Sequence, residues 1–270
     1  MISFPNAKIN LGLNILSKRP DGYHTISSCF YPVGWTDILE IIPAGTLTFT
    51  SSGIDIPGNA DDNLCLRAYH LLREDHDLSP VHIHLYKIIP IGAGLGGGSA
   101  DGAFALKMLN DQFNLGLSQS ELKAYARRLG ADCPFFIRNK PAIVSGIGDQ
   151  FEKIDLDLAG KYIALVYPKV HISTKEAYSG IIPSIPNTPI SDIISQPIES
   201  WKSSLTNDFE HALSNNHPEI QTIKNDLYEI GATYASMTGS GSAVYGIFQQ
   251  DMQEKLEGKF SDFQVWKGKF

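Results

Sequence analysis

Pro90-Ile91-Gly92-Ala93-Gly94-Leu95-Gly96-Gly97-Gly98-Ser99-Ala100-Asp101 sets the terms for everything else in this chain. Five glycines fall between positions 92 and 98, and a helical pattern follows from Ser99 to about Asn110, with Ala100, Phe104 and Met108 on one stripe. Glycine lets the backbone take positive φ and lets an anion come close to the N–H groups. The unpaired N–H groups and positive dipole end of the helix behind the loop then favour phosphate. A purely structural turn seldom needs so many glycines. A Walker A loop requires Lys-Ser/Thr after its last glycine, whereas Gly98 is followed by Ser99-Ala100. Gly92-x-Gly94-x-x-Gly97 satisfies the dinucleotide expression formally, but Pro90 breaks the approach. The next element is also a second helix, where a dinucleotide fold needs a strand tipped with an acidic residue.

Working outward, the first 90 residues read as short strands and turns with one helix. Ile9 to Leu16 suits a half-buried strand, Arg19-Pro20-Asp21-Gly22 is turn chemistry, and Ile38–Ile42 and Leu47–Thr50 read as strands. Asp62-Asn63 stands where a helix through Leu64, Ala68, Leu71 and Leu72 would be capped, and Val81–Tyr86 alternates strictly. Beyond the loop, Ser118 and Glu121 form a capping-box pattern that opens a helix to Leu129. Gly130-Ala131-Asp132-Cys133-Pro134 ends that helix, and Phe135-Phe136-Ile137 reads as a strand. Tyr162–Pro168 reads as a buried strand, and residues 181–200, rich in Pro, Ser and Ile, as a connecting or lid segment. Asp208–Leu213 and Glu219–Ile230 read as helices, and Ala235 to Phe248 as strand, glycine-rich turn, strand. There is no internal repeat. Two lobes with a boundary near residue 155 are expected.

The 270 residues are 43% hydrophobic and 19% charged, with a formal net charge of −7 and no dense Lys/Arg run. Such a surface repels nucleic acid. Cys29, Cys65 and Cys133 are odd in number and form no CxxC pair, so they read as reduced, buried thiols of a cytoplasmic protein. No apolar run reaches membrane-spanning length, and no membrane partner is expected.

The loop from Pro90 to Ala100 resembles the ATP loop of the GHMP kinases, Pro-x-x-x-Gly-Leu-Gly-Ser-Ser-Ala, with Gly97-Gly98 where Ser-Ser is common. Ala7-Lys8-Ile9-Asn10-Leu11 resembles that family's first motif, and Met237-Thr238-Gly239-Ser240-Gly241-Ser242-Ala243-Val244 its last; Pro5-Asn6 ahead of the first belongs to the narrower likeness that follows. Asp21-Gly22-Tyr23-His24 together with Gly130-Ala131-Asp132-Cys133-Pro134-Phe135-Phe136 narrows the likeness to the branch acting on a cytidine-diphosphate-linked methylerythritol in non-mevalonate isoprenoid biosynthesis. The resemblance runs from residue 5 to about 248.

It implies an α+β, two-lobed GHMP kinase fold: a ribosomal-protein-S5-like N-terminal lobe, 1–155, carrying the ATP loop and catalytic residues, and a ferredoxin-like C-terminal lobe, 156–270, closing the substrate site. It also implies ATP and Mg2+ as cofactors, with ATP on Pro90, Gly92, Gly94, Leu95, Gly96, Gly97, Gly98 and Ser99. Glycine at 97 and 98 leaves backbone N–H groups to do what hydroxyls do elsewhere. Asp132 would be the general base for the 2-hydroxyl, although by its place alone it reads equally as a helix terminator. Lys8, by itself a surface charge, would pair with Asp132 and offset developing negative charge. Asn10 shares the strand face of Lys8 and would reach the same pocket.

By the same resemblance His24 would hydrogen-bond the cytosine edge, Tyr23 would line its pocket and Tyr178 would stack on the base. Gly239, Ser240 and Gly241, otherwise a plain hairpin turn, would close the site from the second lobe. Asn63 and Leu64 would lie near adenine, where Asn63 reads equally as a helix cap. The magnesium ligands are not assigned, Ser99 being the one candidate. Oligomeric state is not indicated. The competing readings are another kinase of this family (homoserine, mevalonate or sugar), in which Asp21-Gly22-Tyr23-His24 has no task, a nucleotide-sensing module without chemistry, and a nucleic-acid-binding protein resting only on the S5-like lobe.

Overall fold

Ala7, Ile9, Leu11, Leu13 and Ile15 are buried, and so are Lys8, Asn10 and Asn14 between them, so the first long strand is covered on both faces and not on one. The computed structural model describes residues 1–270. Its strands are β1 (Ile2–Ser3), β2 (Asn6–Lys18), β3 (His24–Thr36), β4 (Ile38–Pro43), β5 (Thr48–Gly53), β6 (Val81–Lys87), β7 (Ala142–Ser145), β8 (Gln150–Lys153), β9 (Tyr162–Tyr167), β10 (Tyr234–Met237), β11 (Val244–Phe248) and β12 (Gln264–Lys269). The helices are α1 (Leu64–Arg73), α2 (Gly97–Gln112), α3 (Gln119–Leu129), α4 (Cys133–Arg138), α5 (Thr174–Ser179), α6 (Ile190–Ile194), α7 (Asp208–Leu213), α8 (Pro218–Glu229) and α9 (Gln253–Lys259).

The chain forms two compact units. The first takes Met1–Ala7, Thr36–Ile91 and Gly96–Lys140; the second takes Lys8–Trp35, Gly92–Leu95 and Pro141–Phe270. A single cut near residue 155 therefore does not separate them. The cause is strand pairing: β3 pairs with β7 (Ser28 opposite Val144), which ties the N-terminal β2–β3 ribbon to the chain after residue 141.

In the first unit a sheet of order β1-β4-β6-β5 carries α1 to α4. Val81, Ile83 and Leu85 of β6 point into its core, as strict alternation requires. A Cβ at Gly102 would stand 2.8 Å from Leu64 Cβ, so glycine is what lets α2 approach α1. The capping box at Ser118 and Glu121 is present with both bonds. Phe135-Phe136-Ile137 is not a strand but the middle of α4, with Pro134 in its first turn and Asn139, at φ 54°, ending it. A short apolar run does not distinguish strand from helix. Here Pro134, suited to a helix start, tips the balance.

In the second unit one sheet has the order β2-β3-β7-β8 and the other β10-β11-β9-β12. The latter is antiparallel along β10-β11, β11-β9 and β12-β9. Leu13, Ile15 and Ile26 share a core with Phe209 of α7, Ile223 and Leu227 of α8, and Val244 and Phe248 of β11. Within residues 181–200, Ser184 N–H donates to Ile15 C=O and α6 forms at Ile190. The three cysteines are buried and free, and burial pushes the Cys29 thiol up to about 12 and the Cys133 thiol up to about 11. No helix is long and apolar enough to cross a membrane.

Candidate active site

The glycine loop is divided between the units, Gly92–Leu95 going with the second and Gly96 onward with the first. In the second unit this arm lies against β2 and against the turn between β10 and β11. Lys8 N–H donates to Leu95 C=O at 2.9 Å, and Ala243 N–H to Ala93 C=O at 3.2 Å. Gly94 has φ 77°, and a Cβ there would stand 2.0 Å from Thr238 O; one at Gly239 would stand 3.1 Å from Gly94 Cα. Two backbones pass so closely here that side chains are excluded from both. Gly239 is thus buried within the second unit beside the loop arm, with half-buried Ser240 next in the turn.

The same region gathers Lys8 and Asn10. Lys8 is 3% exposed, and its ammonium donates to Asn10 Oδ1 at 2.6 Å and Gly94 O at 3.0 Å and stands 4.6 Å from the centroid of the Phe30 ring. Asn10 is held on every side: its Nδ2 donates to Ser28 Oγ, its C=O accepts from Tyr245 OH, and its N–H donates to Thr238 Oγ1 at 3.1 Å. Thr238 also donates within this cluster, toward Gly94 O at 3.0 Å or Asn10 Oδ1 at 3.2 Å. Thr238 was not singled out as a site residue, although it stands inside the Met237–Val244 motif.

Asn207 supports the turn from behind. Its Nδ2 donates to Met237 O and Gly239 O at 2.9 Å each, and its Oδ1 caps α7 through Phe209 N–H at 3.1 Å. Asn207→Ala would leave the Gly239 carbonyl and a helix end without their partners and Met237 O with only the Ser236 hydroxyl at 3.3 Å. It is expected to cost about 2 kcal/mol, measured as a lower urea midpoint with an unchanged m-value.

His24 begins β3, and its ring stacks on Tyr178 of α5 with centroids 4.6 Å apart and planes 24° from parallel. Tyr178 in turn meets Phe209 edge-on at 4.9 Å. Tyr23 is 61% exposed at the end of the turn set by the Arg19–Asp21 pair. His24 and Tyr178 lie in the same unit, so the aromatic pair does not bridge two units.

In the first unit the loop becomes the start of α2, two residues earlier than Ser99, because Gly96 at φ 70° turns the chain into the helix and no side chain caps it. No side chain caps its first N–H groups, and a Cβ at Gly98 would meet nothing within 4 Å. This is the open, positive helix end that suits an anion. Pro90 is buried just before the loop. Ser99 hydrogen-bonds the Cys133 thiol and so links α2 to α4.

Beneath this helix start lies a cluster that the sequence did not reveal. Lys87 Nζ, at the end of β6, bonds Asp37 Oδ2 at 2.6 Å and Asp101 Oδ2 at 2.7 Å, all three side chains being 3% exposed or less. Asp37 Oδ1 also accepts from Ile88 and Ile89 N–H, the backbone that leads into the loop. A Cβ at Gly97 would stand 3.0 Å from Lys87 Nζ. Burial raises the Asp101 pKa to about 7, against the pull of Lys87 and with the push of Asp37, and Asp101 Oδ1 has no partner. The two carboxylates keep Lys87 charged despite its burial. Strict alternation along β6 should have placed Lys87 among the buried residues; its chemistry was overlooked because its partners are 50 and 14 residues away.

Asp132 is the N-cap residue of α4, half-buried, and its side chain makes no capping bond. Asn63 does cap: its Oδ1 accepts from Cys65 N–H at 2.9 Å, and Leu64 is the first residue of α1. No group of three or more His, Cys, Asp or Glu side chains is arranged to hold a metal ion.

Comparison with known proteins matches residues 63–140 to the family described as GHMP kinases N terminal domain and residues 190–263 to GHMP kinases C terminal. The 4-diphosphocytidyl-2-C-methyl-D-erythritol kinase of Cytophaga hutchinsonii is 56% identical over 249 residues, 92% of either chain. That of Parabacteroides distasonis is 50% identical over 268 residues, 99% of either. A crystal structure of 4-(cytidine 5'-diphospho)-2C-methyl-D-erythritol kinase superposes with a TM-score of 0.87 at 29% identity, covering 99% of this chain and 98% of that one. The mevalonate kinase of Methanococcus jannaschii shares the fold, with a TM-score of 0.73 at 15% identity over 99% and 97%.

Proposed function

Because the chain belongs to the GHMP kinases, as an ATP-dependent small-molecule kinase alongside relatives named 4-diphosphocytidyl-2-C-methyl-D-erythritol kinase, we propose that it phosphorylates the 2-hydroxyl of that cytidyl substrate. The reaction takes a step in non-mevalonate isoprenoid precursor synthesis, with ADP and the 2-phosphate as products. The observation that carries the reading is the stacked His24–Tyr178 pair next to the exposed Tyr23. A base hydrogen-bonded to the His24 ring edge would extend the imidazole plane, and Tyr178, whose ring lies 24° from parallel to it, would stack on that base. Stacking of this kind is worth roughly 1–3 kcal/mol per base, enough to select a cytidyl substrate over homoserine or mevalonate.

Phosphoryl transfer asks a protein mainly for positioning and charge stabilisation. The N–H groups of Gly96 to Ser99 and of the Gly92–Leu95 arm hold ATP phosphates, with Pro90 fixing the entry and Asn63 and Leu64 lining the adenine side. Asp132 takes the hydroxyl proton as the oxygen attacks the γ-phosphorus; the bond from that phosphorus to the bridging oxygen breaks and ADP leaves. Lys8 and Asn10 offset and orient the charge that builds on the transferring group. Gly239 and Ser240 bring further backbone donors. Mg2+, when bound, neutralises phosphate charge, and the residues present suit a cation held chiefly through ATP, with Ser99 as the candidate protein ligand, since no protein cage exists. The protein acts in the cytoplasm.

The test is ADP release with Mg-ATP and the cytidyl substrate, with homoserine and mevalonate as alternative acceptors. Turnover confined to the cytidyl substrate is expected. Turnover only on another acceptor would keep the kinase and overturn the substrate, and ATP binding without turnover on any acceptor would favour a sensing role.

A further inference from the structure

His217 stands in the turn between α7 and α8, with its imidazole side chain only 14% exposed and a carboxylate at each nitrogen. Nε2 lies 2.9 Å from Glu176 Oε1 and Nδ1 lies 3.0 Å from Glu219 Oε1. An ionised carboxylate can only accept, and a neutral imidazole has one N–H to give, so both contacts are made together only by the imidazolium. Burial lowers the His217 pKa, but hydrogen bonds to the two glutamates and their charges outweigh it, and the net direction is upward. The other charged groups nearby are engaged elsewhere or exposed. On α7, Asp208 bonds Asn14 and Ile15, Glu210 bonds Lys224 and Met237 N–H, and His211 is exposed. On α5, Lys175 is exposed.

Glu219 belongs to the first turn of α8, next to His217, but Glu176 belongs to α5. That helix has six residues, too few to stand alone. Its anchors include Ala177, buried in the core with Phe209 and Leu213, the Ser173 cap, the Phe209 edge against Tyr178, and the His217–Glu176 bond. Only the last carries full charge. Two residues beyond Glu176 comes Tyr178, whose ring backs His24.

We propose that His217 is a positioning residue for base recognition: its imidazolium pins α5 through Glu176 and so holds the Tyr178 ring over His24, making affinity for the nucleoside end of the substrate depend on the charge of His217. This rests on the reading that the acceptor carries a cytosine base. The interaction is fully present below about 6.5, the ordinary histidine value, and is lost as pH rises through the raised value of the folded protein. Once the proton leaves, one carboxylate faces a ring lone pair, and α5 loses its charged anchor.

KM for the cytidyl substrate, KM for ATP and kcat would be measured across neutral to alkaline pH for wild type, His217→Ala, Glu176→Gln and His217→Lys. Binding of cytidine diphosphate would be read in parallel by calorimetry, which needs no turnover. Wild-type KM for the cytidyl substrate is expected to climb with pH. In His217→Ala and Glu176→Gln it should stand roughly 5-fold or more above the wild-type value at the low-pH end of the range and stay flat as pH rises, so that the wild-type curve climbs to meet it, with kcat and the KM for ATP unmoved. His217→Lys, a cation throughout this range, should restore low KM and flatten the profile. An unchanged KM in His217→Ala, or a wild-type pH profile in His217→Lys, would overturn the proposal. If His217→Ala fails to fold by circular dichroism, Glu176→Gln, whose side chain is 36% exposed, decides alone. Cytidine diphosphate affinity that depends on His217 without turnover of the cytidyl substrate would sink the acceptor assignment and keep this inference. Turnover with a His217-independent KM would do the reverse, and failure of both turnover and cytidine diphosphate binding would remove both.

Discussion

Asp132→Asn is expected to lower kcat by roughly 10²–10⁴-fold while leaving the KM for ATP and the thermal midpoint within error. The separation of rate from stability follows from the residue's place. Asp132 sits at the N-cap of α4 without a side-chain capping bond, and asparagine is as good an N-cap residue as aspartate. The substitution keeps the shape of the side chain, replaces one acceptor oxygen by a donating NH2, and removes the charge together with the ability to take a proton at neutral pH. Steady-state ADP release, with circular dichroism as the control for folding, checks it. A variant with wild-type kcat would move the base elsewhere or show that proton transfer does not limit the rate. A variant that loses kcat and melts early would return Asp132 to the role of a structural helix terminator.

Lys87→Met is expected to destabilise the protein by roughly 3–5 kcal/mol, for which a midpoint lower by roughly 10 °C is the corresponding scale. The ammonium neutralises two carboxylates that have no access to water, Asp37 and Asp101, each almost fully buried. Methionine fills the same volume but leaves both acids uncompensated, one of them with Oδ1 already unpartnered. Adding Asp101→Leu should recover part of the loss, because a matched apolar replacement removes a buried charge along with its partner. Asp37 cannot be treated in the same way, since its Oδ1 accepts from Ile88 and Ile89 N–H just before the loop. Thermal and urea unfolding of the single and double variants measure the effect, and a single variant within about 1 kcal/mol of wild type would mean that the cluster is wetter than its burial indicates.

The features that could be read from the chain are those whose physics is local. The capping box at Ser118 and Glu121, the Asn63 cap and the alternation of Val81 to Tyr86 each involve residues a few positions apart, and all are present. The glycine loop was legible for the same reason, because positive φ is a property of single residues and Gly92, Gly94 and Gly96 adopt it. Phe135-Phe136-Ile137 was misread because three apolar residues carry no period, and the Pro134 that opens α4 also looks like a stop to the helix before it. The long strand β3 passed unnoticed because Ser27-Ser28 and Pro32 interrupt its apolar pattern, whereas pairing with β7 supplies what its own residues do not.

The sequence by itself thus determined the backbone conformation of the loop, the class of fold and most of the elements, because torsional freedom, capping and periodicity act over one to four residues. Tertiary structure alone decided what each polar group would meet. Lys8 finds Gly94 across 86 residues, Asn10 finds Thr238 across 228, and His217 finds Glu176 across 41. It also decided that β2, the Gly92–Leu95 arm and the chain after residue 141 would form one unit. Contacts of that kind come from closing long loops and removing water from charged groups. The free energy of both depends on what else is packed nearby, which no window of sequence contains.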